Sequence, residues 1–218
     1  MYNAIVDYKF SFVNHHFDIL AGSEYYDEEY KAISASGSGA PTDDFASLNY
    51  TSMEANKRSI NSSHSQERIL SFLGRLNYDY LDKYLLSATF RRDGYSRLIN
   101  NRWGFFPGIS AGWVFTNEPF MKNLSEGISF AKLRTSFGLN GNVSGIGTYE
   151  LQGNYLPITY NVKSGFNLSS LPNPNMRWER SRTFETGLDI SFLENRINTN
   201  FTWYTRTTLD KYANIPLP

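Results

Sequence analysis

Hydrophobic residues recur at every second position through most of this chain. In 3–13, Ala4, Val6, Tyr8, Phe10 and Phe12 alternate with Asp7, Lys9 and Ser11. In 69–80, Leu70, Phe72, Leu76, Tyr78 and Tyr80 oppose Ser71, Arg75, Asn77 and Asp79. The same alternation runs through 83–91, 106–116, 130–139, 183–192 and 197–206, and 16–34 adds a further strand. A period of two places successive side chains on opposite faces of an extended backbone. The pattern therefore predicts about eight strands, each with one apolar and one polar face. No segment holds a period of 3.6, and only 117–126 has room for a helical turn.

The connections carry a second pattern. "VNHH", "YLDK" and "LENR" are short, whereas 35–66, 93–104 and 141–176 are long and polar. Short and long connections alternate, so an up-and-down meander gathers its tight turns at one end and its long loops at the other. That is the arrangement of an outer-membrane barrel. A soluble β-sandwich that contacts saccharides through loop aromatics shares the alternation but uses shorter strands. The pattern alone leaves both readings open.

Composition narrows the chemistry. The 218 residues carry 21 Lys+Arg and 21 Asp+Glu, so no global basic field points to nucleic acid. There is no cysteine, which removes disulfides, thiolate metal sites and a thiol nucleophile. Aromatic residues make up 16% of the chain. No apolar run reaches the ~18 residues of a membrane helix, but a membrane strand needs only ~9–11 residues with one apolar face. The opening "MYNAIVDYKFSFV" alternates like a strand and does not resemble a signal peptide.

Several stretches then resemble one family. "DKYLLSATFRRDGYSRL" with "NNRWGFFPGISAGWVFTNEPFMKN" is similar to a run shared by the SusC/RagA TonB-dependent outer-membrane transporters. Its elements fall on Lys83 to Leu86, Arg91 to Leu98, Phe106-Pro107, Gly112-Trp113 and Glu118 to Met121. "AKLRTSFGLNGN", "NPNMRWERSRTFETGLDISFLENRINTNFTWYTRTT" and "HHFDILAGSEYYDE" follow the family's order as well. The resemblance implies an all-β antiparallel meander over 1–218, forming an open arc of a 22-stranded transmembrane barrel in the outer membrane. It implies a non-enzymatic importer, driven through TonB and working with an SusD-like surface lipoprotein on oligosaccharides or peptides, without a cofactor. A siderophore or cobalamin receptor is the neighbouring alternative. Family members are longer and carry a plug and a TonB box ahead of the barrel, so this chain is expected to be an internal barrel segment.

Residue roles follow as expectations. Arg75, Lys132, Arg134, Glu185 and Asp189 should face the lumen. Arg92, Asp93 and Gly94 should lie where a strand leaves the bilayer, with Asp93 paired to Arg91 or Arg97 and Gly94 supplying a positive φ. Trp103, Phe105 and Phe106 should form part of an interfacial aromatic girdle. Tyr95, Arg97 and Arg102 are candidates for substrate or lid contact. Tyr149, Tyr155 and Tyr160, in the long loop 141–176, offer flat faces and hydroxyls suited to sugar rings. No metal site is expected. His15 and His16 are adjacent in a strand and point to opposite faces, the acidic run Glu24 to Glu29 lacks a ligand-spaced loop, and Asp43-Asp44 has no acid–base partner nearby.

Overall fold

The computed structural model describes residues 1–44, 47–121 and 127–213. It contains ten strands: β1 Tyr2–Phe12, β2 His15–Gly37, β3 Arg58–Tyr80, β4 Tyr84–Tyr95, β5 Trp103–Val114, β6 Ile128–Asn142, β7 Asn154–Tyr160, β8 Lys163–Ser170, β9 Glu179–Phe192 and β10 Ile197–Leu209. Eight of them form one sheet in the order β1-β2-β3-β4-β5-β6-β9-β10, and β7 pairs with β8 in a separate hairpin. The large sheet is open, because β1 and β10 each pair on one side only. The expected antiparallel meander of about eight strands is thus observed.

The chain divides into two compact units, Asp27–Arg68 and the remainder. In the larger unit β4, β5, β6, β9 and β10 are 12 to 15 residues long, enough to cross a bilayer. Their registers stack like onto like. Tyr80, Tyr84, Trp113, Leu133, Leu188 and Phe201 lie side by side in one row. Leu76, Ala88, Ile109, Phe137 and Phe184 form another row on the same face. Asn77, Ser87, Ser110, Ser136 and Glu185 form a row on the opposite face. The apolar face is uncovered, with Ile109 60% and Phe201 69% exposed. A sandwich would bury these side chains beneath a second layer, so the sandwich reading fails here.

The polar face is held by charge pairs across strands. Arg134 donates to Glu185, to Asp189 and to Thr202, tying β6 to β9 and β10. Gly187 sits opposite Arg134 in register, and a Cβ there would lie 2.7 Å from the guanidinium carbon. The guanidinium therefore lies flat across the backbone of β9. Arg75 and Lys9 both approach Asp18 at 3.6 Å. Pairs this exposed to water add little stability. Their role is to fix which residues face each other.

The tight turns lie at one end. Leu81 and Asp82 both have positive φ, 58° and 54°, in the three-residue connection between the paired Tyr80 and Tyr84. The helical turn expected in 117–126 is a pair of short 3-10 turns, Phe115–Asn117 and Pro119–Met121, and 122–126 lies outside the described residues.

The smaller unit corrects the long connection expected at 35–66. β2 runs on to Gly37 and β3 begins at Arg58, so each is 23 residues long, roughly twice what a crossing needs. Polar cross-strand bonds line this extension: Arg68 and Gln66 to Asp27, each at 3.0 Å, His64 to Glu29 at 2.9 Å, and Ser36 to Ser59 at 2.7 Å. The loop that closes it is gathered by Arg58, whose guanidinium donates to the carbonyls of Leu48, Thr51 and Ser52. Hydrophobic alternation fades here because the ribbon is polar and largely exposed.

The facing of β6 is testable. In a receptor carrying this wall, Leu133→Arg should reduce membrane insertion, because a midplane charge toward lipid costs about 2–4 kcal/mol. Ser136→Arg, on the polar face, should insert nearly as well as the parent. Folded yield on heat-modifiability gels checks this, and equal yields would contradict the facing.

Candidate functional site: the long-loop end

The main buried apolar cluster lies at the long-loop end of the larger unit, not within the membrane-spanning rows. Tyr95, Leu98, Phe106, Ile146, Leu151 and Trp178 form it, with Ile69, Val143, Met176 and Tyr212 packed around them. Trp178 meets Tyr95 and Phe106 edge-on, at ring separations of 6.1 and 5.2 Å. Its indole N–H donates to the carbonyl of Arg102 at 2.9 Å, and that oxygen also accepts from the Tyr95 N–H. Burying Trp178 thus leaves no polar atom stranded.

Side-chain amides lace the loops together. Asn100 donates to the Pro174 carbonyl at 3.0 Å, and Asn101 to those of Met176 and Asn175. Arg97 donates to the carbonyl of Ile146 at 3.2 Å. The connections 96–102 and 143–178 consequently form one packed body. Tyr212, whose hydroxyl donates to the Arg177 carbonyl, is pushed up to about 12, chiefly by burial.

Beneath the cluster, Arg91 binds Asp93 at 2.8 Å, Glu24 at 3.2 Å and Ser71 at 3.0 Å. The expected pairing of Asp93 is therefore with Arg91. Two expectations for this stretch are corrected. Gly94 does not have a positive φ. β4 continues through it to Tyr95, and a Cβ at Gly94 would lie 2.9 Å from the Trp103 ring, so the glycine supplies space. Phe106 is not in the outward girdle. Trp103 and Phe105 are exposed, whereas Phe106, one residue on, points to the other face and is buried in the cluster.

The candidate contact residues separate into two groups. Tyr95 is 2% exposed, its ring packed within the cluster, so it offers no free face to a ligand. Arg97 is half-buried, and Arg102 is exposed with its Nε donating to the Leu98 carbonyl at 3.4 Å. Tyr149, Tyr155 and Tyr160 are 65%, 62% and 79% exposed. Tyr149 has φ 68° just before the hairpin. Tyr155 and Tyr160 both lie on β7, on opposite faces, opposite Leu168 and Lys163 respectively.

The hairpin itself is absent from the strands read in the sequence. Leu156, Ile158, Val162, Phe166 and Leu168 are exposed on it. The alternation was present in "NYLPITY", but Pro157 weakened the strand signal. Its turn, Asn161-Val162, has positive φ at both residues without the glycine that usually marks such turns.

The polar face of the sheet also carries an open hollow of about 610 Å³, lined by Lys9, Asp18, Asn77, Lys132, Arg134 and Glu185 among others. At the tight-turn end, Glu118 accepts from Tyr84 at 2.7 Å, Trp113 at 3.3 Å and Lys83 at 3.2 Å. The Tyr84 hydrogen bond chiefly holds the Glu118 carboxyl below its usual range. Through this knot Lys83, Tyr84, Trp113 and Glu118 fasten one hairpin end to the next. Among the described residues, no group of three or more His, Asp or Glu is arranged to hold a metal ion.

A single sheet with one apolar and one polar face, tight turns at one end and packed loops at the other, defines the wall of a transmembrane β-barrel. The family model "TonB dependent receptor-like, beta-barrel" matches residues 2–218, and the chain belongs to that family of outer-membrane proteins. It is 38% identical to TonB-dependent receptor P39 of Formosa agariphila over 76% of this chain and 16% of that protein. It is 31% identical to TonB-dependent receptor SusC of Bacteroides thetaiotaomicron over 100% of this chain and 22% of that one. Among solved structures, the RagAB peptide transporter matches with a TM-score of 0.86 at 28% identity, covering 99% of this chain and 24% of the matched one. The chain thus spans about a fifth of the length of these curated relatives.

The cluster makes a local prediction. Trp178→Ala removes a buried aromatic, a change that costs about 3–5 kcal/mol. It should speed protease cleavage within 141–176 while leaving the sheet folded. Cleavage at the parent rate would show that the cluster does not hold the loops.

Proposed function

We propose that this chain forms part of the wall and extracellular loops of a TonB-dependent importer. The importer takes up oligosaccharides or peptides and works with an SusD-like surface lipoprotein. The observation that carries this reading is the long-loop end. A buried cluster fixes the loop bases, and the exposed tyrosines Tyr149, Tyr155 and Tyr160 stand beyond it. Aromatic faces with hydroxyl tips suit both sugar rings and peptide side chains. The SusC and RagAB relatives support the importer class, and the printed title of RagAB describes a peptide transporter. Arg102, exposed at the edge of the same body, adds a cation beside the aromatic faces. Tyr95 stays out of the contact set and acts by packing, and Arg97 braces the Ile146 carbonyl.

No covalent chemistry is assigned to this wall. Its contribution is binding and enclosure, with energy arriving through TonB. The test uses the full-length receptor with Tyr155→Ala and Tyr160→Ala combined. Binding from a panel of oligosaccharides and peptides should weaken by about tenfold, the equivalent of ~1.4 kcal/mol. Uptake should stop when TonB is deleted. Unchanged affinity across the panel would remove the hairpin from the binding surface, and uptake independent of TonB would overturn the importer reading.

A further inference from the structure

The apolar face ends abruptly at the long-loop end. Below that edge its rows are mostly hydrocarbon and aromatic, with Thr135 and Thr186 in one of them and no charged side chain. At the edge, Phe72, Arg92 and Phe105 lie side by side on β3, β4 and β5, and Gly141, Arg180 and Leu209 on β6, β9 and β10. Beneath them lie Gly74, Phe90 and Pro107 on the first three strands and Leu139, Arg182 and Thr207 on the other three, the β5–β6 pairing beginning just below at Gly108 and Gly138. Alternation upward from the row Ala88, Ile109, Phe137, Phe184 puts all three arginines on the outward face at this edge, and none of the neighbours just named is an acid.

Their partners differ. Arg180 is neutralised by Asp210 at 2.8 Å. Arg92 lies 4.9 Å over the Trp103 ring, and neither it nor Arg182 has a carboxylate partner among the described residues. Both are exposed. The polar face behaves otherwise: Arg75, Arg91 and Arg134 each reach an Asp or Glu. An unpaired guanidinium on a face bound for lipid is costly unless it meets an anion or water at the interface. Stacking on Trp103 holds the Arg92 guanidinium in place, and its edge N–H groups remain available.

We propose that Arg92 and Arg182 bind the phosphate groups of an anionic outer-leaflet lipid, the lipid A part of lipopolysaccharide. Charge complementarity carries the choice. Guanidinium forks match phosphate oxygens bidentately. The two arginines stand on strands three spacings apart, a sideways separation of roughly 14 Å, which is the scale of one or two headgroups rather than of a small ion. Arginine side chains reach from the rim of an apolar band up to headgroup level. The long-loop end faces outward in this family of barrels, so the rim meets the outer leaflet.

The experiment uses the full-length receptor in detergent, with folding confirmed by heat-modifiability, and fluorescent bisphosphorylated lipid A as the probe. Arg92→Gln with Arg182→Gln should weaken lipid A binding by about tenfold or more, as expected for two basic contacts with a headgroup. Each single variant should fall between the parent and the pair. Arg206→Gln, on the polar face where it donates to Thr183, should bind as the parent does. Dephosphorylated lipid A should bind the parent receptor as weakly as bisphosphorylated lipid A binds the double variant. Should the double variant not fold, the single variants decide. Parental affinity in the substituted receptors would overturn the proposal, as would equal binding of the dephosphorylated lipid. Because the readout is lipid binding rather than uptake, its failure leaves the importer reading untouched.

Discussion

In hydrocarbon, every peptide N–H and C=O must find its partner on the protein, because no water is there to serve. That requirement governs this molecule. It selects the antiparallel ladder, with β2, β3, β4, β5, β6 and β9 each paired on both sides. It frees the apolar side chains from any need for an internal core. Leu133, Phe137 and Ile109 remain outward because lipid, not protein, is their solvent. The described residues consequently hold few buried apolar side chains, and six of them gather at the long-loop end, four on loops and two, Tyr95 and Phe106, on the strand ends beneath.

The two ends of the sheet are fastened by different means. At the tight-turn end, Glu118 collects three donors and locks neighbouring hairpins together. At the long-loop end, Trp178, Tyr95 and Phe106 form a small conventional core on water-facing loops. Between them on the polar face Arg134 is laid over Gly187, a geometry that a side chain on the glycine would displace. The ends resist local opening while the middle is set by register.

What the sequence revealed follows from where the solvent changes. β4, β5, β6, β9 and β10 were legible because each has one face in lipid and one in water, so hydrophobicity alternates. The upper halves of β2 and β3 were not, since both sides of that ribbon are largely polar and the strand signal rests on backbone bonds and pairs such as Arg68 with Asp27. β7 and β8 were missed for a related reason, with Pro157 and a glycine-free turn masking a short alternation. Tyr95 and Phe106 show the limit of residue type as a guide. Both were aromatic residues in a loop-end motif, and only packing reveals that they face Trp178 rather than ligand or lipid. The exposed tyrosines of the long loop were legible as exposed polar aromatics, while their division between two faces of a hairpin needed the register.

The central claim is that one face of this sheet meets lipid and the other water. Adjacent residues of β5 test it most directly, since Ile109 and Ser110 sit at the same depth on opposite faces. The chain has no cysteine, so single nitroxide labels can be placed at Ile109→Cys or Ser110→Cys in a cysteine-free full-length receptor in bilayers. The account predicts that the label at 109 collides with molecular oxygen and is shielded from a polar nickel chelate. The label at 110 should show lower oxygen access and the greater relative access to the chelate. The same accessibility ratio at both positions, or the reverse order, would contradict it.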